Sequence, residues 1–178
     1  MDLVRVLDKT FKSFISSKQI TARIKELSDS INHDLKGEDL LFIGVLNGSF
    51  MFVADLFRLI KLDARISFLK LSSYDGMESS GKIRRLIGLN EDLSGKTVVV
   101  IEDIIDTGKT LQGIVNDLNS KGAKSIKVVT LLLKPEAYDG EYKIDYVGFE
   151  IPNDFVVGYG LDYDGFGRNL DSVYTLAE

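Results

Sequence analysis

Apolar residues recur at three- and four-residue intervals near the start of the chain. This spacing predicts an amphipathic helix between Ser17 and Lys36 that ends at Gly37. The apolar stripe of this helix consists of Ile20, Ile24, Leu27 and Ile31. Because such a stripe most often packs against a core, we interpret it as structural.

Farther along, runs of strand length alternate with helical patterns. Helices are predicted from Phe50 to about Ile60 and from Leu111 to near Gly122. The predicted strands are Leu40–Leu46, Ala64–Leu71, a run that begins at Val98, and Ser125–Leu133. Continuous apolar strands that alternate with helices are typical of a parallel sheet covered on both faces. We therefore predict an α/β fold, a mainly parallel twisted sheet flanked by helices, with a small subdomain built from the terminal segments.

Composition narrows the class of protein. The 178 residues contain no internal repeat or linker, so we expect a single domain over residues 1–178. A net charge of −5 and an isoelectric point near 5.0 argue against a partner nucleic acid. No apolar run is long enough for a membrane span and no leader is apparent, so we expect a cytoplasmic protein that does not bind a membrane.

The residue inventory also restricts the chemistry. Without cysteine, disulfides, thiolate zinc sites and cysteine nucleophiles are impossible, and His33 is the only histidine. We expect His33 on the solvent-facing side of its helix. Catalysis must then rest on carboxylates, Lys, Arg, Tyr and backbone groups.

The strongest chemical pattern is VVVIEDIIDTGKTL, from Val98 to Leu111. A β-branched run meets two acids, and a third acid then precedes Thr, Gly and a predicted helix start. Small residues and free backbone amides at a helix start favour anion binding. Asp106 or Thr107 could instead only cap the helix. Capping does not explain Glu102 and Asp103 at the carboxyl end of a buried strand, which is where ligands bind in open α/β sheets.

This stretch resembles the phosphoribosyl pyrophosphate signature of the type I phosphoribosyltransferases, and specifically that of the hypoxanthine phosphoribosyltransferases. It is not a P-loop, because Asp103 stands where the first glycine of that motif would be. The resemblance implies a type I phosphoribosyltransferase fold, with Asp106 as the general base. The substrate-binding residues implied in this stretch are Glu102, Asp103, Ile104, Ile105, Asp106, Thr107, Gly108, Lys109, Thr110 and Leu111.

Within this set the resemblance implies different roles. Residues 107–111 would hold the 5′-phosphate of the nucleotide. Glu102 and Asp103 would contact either a magnesium ion or the ribose hydroxyls, and both options stay open at this point.

Two further loops match the family. Asn47, Gly48 and Ser49 follow a strand and precede a helix, which alone is a weak indication of an anion site. In the resembled family this loop, here with Gly48 as the candidate contact, holds pyrophosphate and often contains a cis peptide. It commonly has Lys where this chain has Asn47. The polar segment 72–82 could be a hairpin tip or a lid, and Ser73 and Tyr74 resemble the family's mobile catalytic loop.

The base-binding residues come later in the chain. Pro135 ends a predicted strand, so Lys134 should emerge at the same sheet edge as the acids. It could be an ordinary surface lysine, whereas the resemblance implies that it binds the exocyclic oxygen of a 6-oxopurine. Phe155 could be a core aromatic, whereas its family counterpart stacks on the purine. The backbone of Phe155, Val156 and Val157 would contact the edge of the base.

Asp162 and Arg168 complete the expected site. The resemblance implies that Asp162 binds Mg²⁺ and that Arg168 meets the pyrophosphate, although an acid and a guanidinium so close in sequence could be only an ion pair. The metal candidates are thus Asp162, Glu102 and Asp103.

The implied activity is purine salvage. Hypoxanthine or guanine would react with phosphoribosyl pyrophosphate to give IMP or GMP and pyrophosphate, with Mg²⁺ assisting. A xanthine-selective enzyme and a regulator that only binds phosphoribosyl pyrophosphate or nucleotides are the alternatives, the regulator less favoured because Asp106 is present. The family forms dimers and tetramers, so we expect a homodimer or homotetramer.

Overall fold

A six-stranded sheet forms the centre of the protein. The computed structural model describes residues 2–72, 84–87 and 91–177. Across the sheet the strands are β5 (Arg84–Ile87), β4 (Ala64–Ser72), β3 (Leu40–Leu46), β6 (Thr97–Ile105), β7 (Ser125–Leu133) and β8 (Tyr146–Glu150). All neighbours pair in parallel except β4 and β5. The predicted mainly parallel α/β sheet is confirmed.

Helices cover both faces of this sheet. They are α1 (Ser17–Asp34), α2 (Phe50–Phe57) and α3 (Lys109–Ser120). Apolar residues of α1 and α2 belong to one core cluster and those of α3 to another. The predicted stripe of α1 is buried, and His33 lies with 89% of its side chain exposed. The pattern made α2 too long, because its last predicted residues form tighter turns in which Leu59 and Ile60 bond three residues back.

The chain termini build a second sheet. Its strands, in spatial order, are β1 (Leu3–Val6), β2 (Lys9–Ile15), β10 (Val173–Leu176) and β9 (Val156–Val157), all antiparallel. Phe11 of β2 is completely buried in its small core. The expected terminal subdomain is therefore present. Its first hairpin was not predicted, because the pattern Leu3 to Ile15 alternates only weakly.

Among the helices of the described residues, none is long and apolar enough to cross a membrane.

Candidate active site

The two adjacent acids of β6 lie on opposite faces of the sheet, because successive side chains of a strand alternate. Glu102, only 6% exposed, lines a concavity of about 110 Å³ together with residues 104–111. Asp103 faces the loop after β3, where a Cβ on Gly48 would lie 1.5 Å from Asp103 Oδ2. The pair that the sequence presents as one unit thus serves two separate regions.

Burial controls the protonation of both acids. It raises the pKa of Glu102 well above its usual range, and the neighbouring Asp103 charge raises it further. The pKa of Asp103 rises to about 6, chiefly through burial, although backbone amides and Arg168 oppose the shift. The Asp162 charge raises the pKa of Asp103 as well. Asp103, Asp162 and Arg168 therefore interact electrostatically.

The loop between β6 and α3 leaves its helix start open. Gly108 is the N-cap residue, with φ of +81°, and no side chain caps the helix. The capping alternative for Asp106 and Thr107 is therefore wrong. By contrast, Ser16 and Gln19 form a complete capping box at the start of α1. The first-turn amides of α3 remain available for an anion.

The side chains of this loop divide into two groups. Asp106, Thr107, Lys109 and Thr110 are exposed. Leu111 is only 2% exposed and packs in the core, so that its backbone amide alone can contribute to anion binding. The predicted contribution of Leu111 is thus limited to its main chain.

Lys134 and Asp106 meet at the carboxyl edge of the sheet. The Lys134 amide donates to the Ile105 carbonyl at 2.9 Å, which aligns the end of β7 with that of β6. Lys134 Nζ lies 3.1 Å from Asp106 Oδ2. The lysine side chain is 12% exposed and the aspartate 52%. Lys134 is therefore not an ordinary surface lysine, and an acceptor and a donor lie side by side.

The loop after β3 reaches the same edge. The Leu46–Asn47 peptide is cis, as the sequence resemblance implied. Ser49 precedes α2 without a side-chain capping bond to that helix, and its hydroxyl donates to the Val45 carbonyl. Gly48 is thus positioned between this open helix start and Asp103.

An aromatic group lies on the subdomain. The Phe155 ring is 47% exposed, and its centroid lies 6.2 Å from that of Phe11 and 5.8 Å from that of Tyr163. Phe155 is consequently not a core residue. The side chains of Val156 and Val157 are buried.

The backbone at this point has a free edge. The Leu176 amide donates to the Phe155 carbonyl, and Val156 pairs with Thr175 in the register of β9 and β10. Alternation in an antiparallel pair then turns the Val156 amide and carbonyl away from β10. These groups are suited to bind the edge of a planar ligand.

Asp162 and Arg168 form an ion pair. Arg168 Nη2 lies 2.6 Å from Asp162 Oδ1, and Nη1 donates to the Gly160 carbonyl at 2.7 Å. The Gly165 amide donates to Asp162 Oδ2 at 2.7 Å. A Cβ on Gly160 would lie 2.0 Å from the Gly48 carbonyl oxygen, so this loop packs directly on the loop after β3.

Sequence reasoning missed the residues that hold these loops in place. Tyr159, at φ of +49°, donates its hydroxyl to Asp55 of α2 at 2.5 Å and so fixes the subdomain to the helix. Its position between two glycines is the only sequence pattern that could have indicated it. The candidates Ser73 and Tyr74 lie outside the described residues.

The structure offers few ligands for a cation. Within residues 2–72, 84–87 and 91–177, no group of three or more His, Cys, Asp or Glu side chains could hold a metal ion. Asp103 and Asp162 are two interacting carboxylates, and Asp103 faces the loop after β3. A magnesium ion typically takes one or two carboxylates and completes its shell with substrate phosphates and water. The carboxylates present fit that arrangement.

Comparisons with known proteins agree with this geometry. The phosphoribosyl transferase domain family matches residues 14–164. A hypoxanthine-guanine phosphoribosyltransferase of Mycobacterium tuberculosis is 44% identical over 91% of this chain and 84% of its own length.

Solved structures give the same result. A hypoxanthine phosphoribosyltransferase from Staphylococcus aureus is 39% identical and superimposes with a TM-score of 0.88 over 93% of this chain and 91% of its own. A hypoxanthine-guanine phosphoribosyltransferase from Bacillus anthracis is 41% identical, with a TM-score of 0.88 over 93% of this chain and 98% of its own. The chain therefore belongs to the phosphoribosyltransferase family, among its hypoxanthine-guanine members.

Proposed function

We propose that this protein transfers the phosphoribosyl group of phosphoribosyl pyrophosphate to hypoxanthine or guanine, releasing IMP or GMP and pyrophosphate. The contact between Asp106 Oδ2 and Lys134 Nζ, at 3.1 Å beside an open helix start, carries the proposal. A 6-oxopurine protonated at N7 presents its exocyclic oxygen and the N7–H group on the same edge of the ring. An ammonium donor and a carboxylate acceptor complement these two groups.

The base-binding part of the site follows from this pairing. Lys134 donates to the exocyclic oxygen, Phe155 stacks on the ring, and the free backbone groups of Val156 bind its edge. Adenine carries an amino donor in place of the oxygen, and would leave the Lys134 ammonium without an acceptor. The geometry thus favours purines with an oxygen at position 6 over purines with an amino group there.

The sugar and phosphate bind on the β6 side of the site. The first-turn amides of α3, with the hydroxyls of Thr107 and Thr110, hold the 5′-phosphate. Glu102 lines the same concavity, and we assign it to the ribose hydroxyls. A buried acid with a raised pKa can share a proton with a hydroxyl ligand without carrying an isolated charge.

Mg²⁺ belongs on the opposite face of β6. Asp103 and Asp162 would hold it together with oxygens of the pyrophosphate group, and Arg168 would bind that group as well. When bound, the ion neutralises the charge that develops on the leaving pyrophosphate. Without a cation, the Asp162 charge raises the pKa of Asp103, so these two carboxylates would favour a bound cation.

The reaction is a displacement at the anomeric carbon of ribose. Purine N9 forms a bond to this carbon while the bond between the carbon and the pyrophosphate oxygen breaks. The proton on N7, beside the exocyclic oxygen, passes to Asp106, so that the purine keeps its neutral form in the product. Such general base catalysis contributes about a hundredfold to ten-thousandfold, and alignment of the two substrates contributes more.

Turnover on four bases tests the proposal. With phosphoribosyl pyrophosphate and Mg²⁺, we expect nucleotide formation from hypoxanthine or guanine and none from adenine. Turnover on xanthine alone would shift the assignment to a xanthine enzyme. Binding of phosphoribosyl pyrophosphate without turnover of any base would instead indicate a regulator.

We further propose that the protein forms a homodimer or homotetramer. An almost wholly apolar groove of about 340 Å³ adjoins the loop after β3, and Phe50 and Phe68 in it are 43% and 38% exposed. Its lining consists of Leu46, Phe50, Val53, Ala54, Phe57, Arg58, Ile66 and Phe68. A second copy that covers this groove would shield the exposed rings from water.

Light scattering after size exclusion tests the assembly. Phe68→Glu should produce monomers, because a charge cannot be buried in an apolar interface without a partner. Phe14→Glu, at a ring with similar exposure on β2, is the matched control and should leave the assembly intact. A monomeric native protein would contradict this assignment.

We also propose a cytoplasmic location, since a polyphosphorylated substrate does not cross a bilayer unaided.

A further inference from the structure

The segment after β7 packs against the loop that precedes α3. The Tyr138 ring lies directly beside Gly108, where an added Cβ would be 2.4 Å from Tyr138 Cε2. The ring also meets Gly140, where a Cβ would lie 2.5 Å from the tyrosine hydroxyl oxygen. The Asp139 amide donates to the Thr107 carbonyl at 3.4 Å. Two glycines thus make room for one aromatic ring under the loop.

Hydrogen bonds fix the orientation of this ring. The Tyr138 hydroxyl donates to the Tyr142 carbonyl, and the Tyr142 hydroxyl donates to Asn116 Oδ1. Asn116 lies about two turns into α3, the helix whose first turn offers amides to the phosphate. The ring therefore packs against the loop, and its hydroxyl is linked through Tyr142 to the helix that the loop begins.

Tyr138 is also tied to the base-binding lysine. The amides of Ala137 and Tyr138 both donate to the Lys134 carbonyl at 3.1 Å. A single hydrogen-bonded turn therefore begins at Lys134 and ends at Tyr138, whose ring packs against Gly108. This turn would keep Lys134, which binds the base, at a fixed distance from Gly108 in the 5′-phosphate loop, as a nucleotide of fixed length requires.

We propose that Tyr138 is a positioning residue, whose ring holds residues 107–110 in the conformation that binds the 5′-phosphate. This inference rests on the proposed assignment of that loop to the phosphate. Gly108 takes a left-handed φ of +81°, and because a glycine also adopts other backbone conformations readily, a neighbouring group is needed to restrict the loop to this one. The ring supplies it by filling the space on the side away from the ligand.

The first test compares the KM values for the two substrates. Tyr138→Ala should raise KM for phosphoribosyl pyrophosphate and Kd for IMP at least tenfold, while KM for hypoxanthine changes less than threefold. Tyr138→Phe keeps the ring and should restore most of the affinity for both phosphorylated ligands. Should Tyr138→Ala unfold, Tyr138→Leu removes the aromatic ring while filling part of the space, and is expected to behave in the same way.

Tyr146→Leu is the structural control. Tyr146 begins β8 and packs in the core cluster on the other face of the sheet from Tyr138, and its hydroxyl donates to Asp34. This variant should lose stability, but it should not change KM for phosphoribosyl pyrophosphate more than KM for hypoxanthine. An equal rise in both KM values for Tyr138→Ala, or no rise in either, would overturn the positioning role.

The second test is a double-mutant cycle with Gly108→Ala, measured by titration with IMP. The new methyl group should weaken IMP binding more beside the Tyr138 ring than in the Tyr138→Ala background, because the ring then no longer obstructs it. Additive effects would contradict a direct role of the ring. If Gly108→Ala alone leaves IMP affinity unchanged, the phosphate assignment fails. If it weakens binding while Tyr138→Ala does not, only the role of Tyr138 fails.

Discussion

At the scale of single residues, Asp106 gives the sharpest prediction. Its carboxylate is half exposed and contacts Lys134, so a substrate can reach it without rearrangement of the core. Asp106→Asn removes the proton acceptor but keeps the shape of the side chain. We expect kcat to fall by about a hundredfold to ten-thousandfold while KM for phosphoribosyl pyrophosphate stays within a few-fold. Steady-state kinetics with hypoxanthine measure both values.

Glu136→Gln is the matched control for this variant. Glu136 is an exposed acid next to Pro135 at the same sheet edge. Glu136→Gln removes one negative charge, as Asp106→Asn does. Its turnover should equal that of the native protein. Near-normal turnover of Asp106→Asn would remove Asp106 from the role of general base.

At the scale of elements, the two ends of α3 allow a direct comparison. Gly108 and Gly122 have almost the same φ, +81° and +80°, but a Cβ at Gly122 would meet only Ser94 Oγ at 3.8 Å. Alanine at either position should therefore cost about 1 to 2 kcal/mol through its left-handed backbone conformation. We expect only Gly108→Ala to weaken IMP binding as well, because this glycine lies in the proposed phosphate site and against Tyr138.

Thermal unfolding and calorimetric titration with IMP check the two effects separately. Equal loss of IMP affinity in both variants would mean that α3 as a whole, rather than its first turn, determines binding. Unchanged affinity in both would contradict phosphate binding at the start of α3.

At the scale of the whole molecule, the buried acids make stability depend on pH. The folded-state pKa of Asp103 is raised from 3.8 to about 6, so the folded protein binds more protons than the unfolded chain between these values. Its contribution to stability is therefore lost as pH rises from about 4 to above 6, by up to about 3 kcal/mol. Glu102 acts in the same direction, because its pKa is also raised.

Unfolding of the native protein and of Asp103→Asn across pH 4.5–8, in EDTA, measures this contribution. The native protein should lose stability relative to the variant as pH rises. Parallel curves would show that Asp103 does not titrate in this window. Added Mg²⁺ and phosphoribosyl pyrophosphate should reduce the loss, because a bound cation favours the ionised carboxylate.

Local pattern was sufficient for β3, β4, β6 and β7 of the main sheet, but it did not predict β5 and β8 at the two edges of that sheet. The continuous apolar runs of β3, β6 and β7 and the stripe of α1 each report burial that a single segment reveals. Local pattern was insufficient for strands β1, β2 and β9 of the second sheet, whose burial depends on pairing between segments far apart in the chain. The start of α2 at Phe50 was predicted correctly, but its C-terminal end was not, since tight turns and helix share the same apolar spacing there.

The candidate site divides in the same way. Its residues could be named from the motif, because a phosphate loop, a base-selecting lysine and an aromatic ring each have a local pattern. The supporting residues Tyr138 and Tyr159 could not, because their partners Gly108 and Asp55 are distant in sequence. Contacts between residues far apart in the chain leave no periodic pattern in the sequence.

By itself, the sequence determined the α/β class, the absence of cysteine chemistry, and the stretch from Val98 to Leu111 as the candidate ligand site, since these depend on residue type and spacing. Only the tertiary structure separated Glu102 from Asp103, joined Asp106 to Lys134 and excluded a side-chain cap at α3. The physical reason is that these properties depend on which side of a strand faces which neighbour, and on distances between segments far apart in the chain.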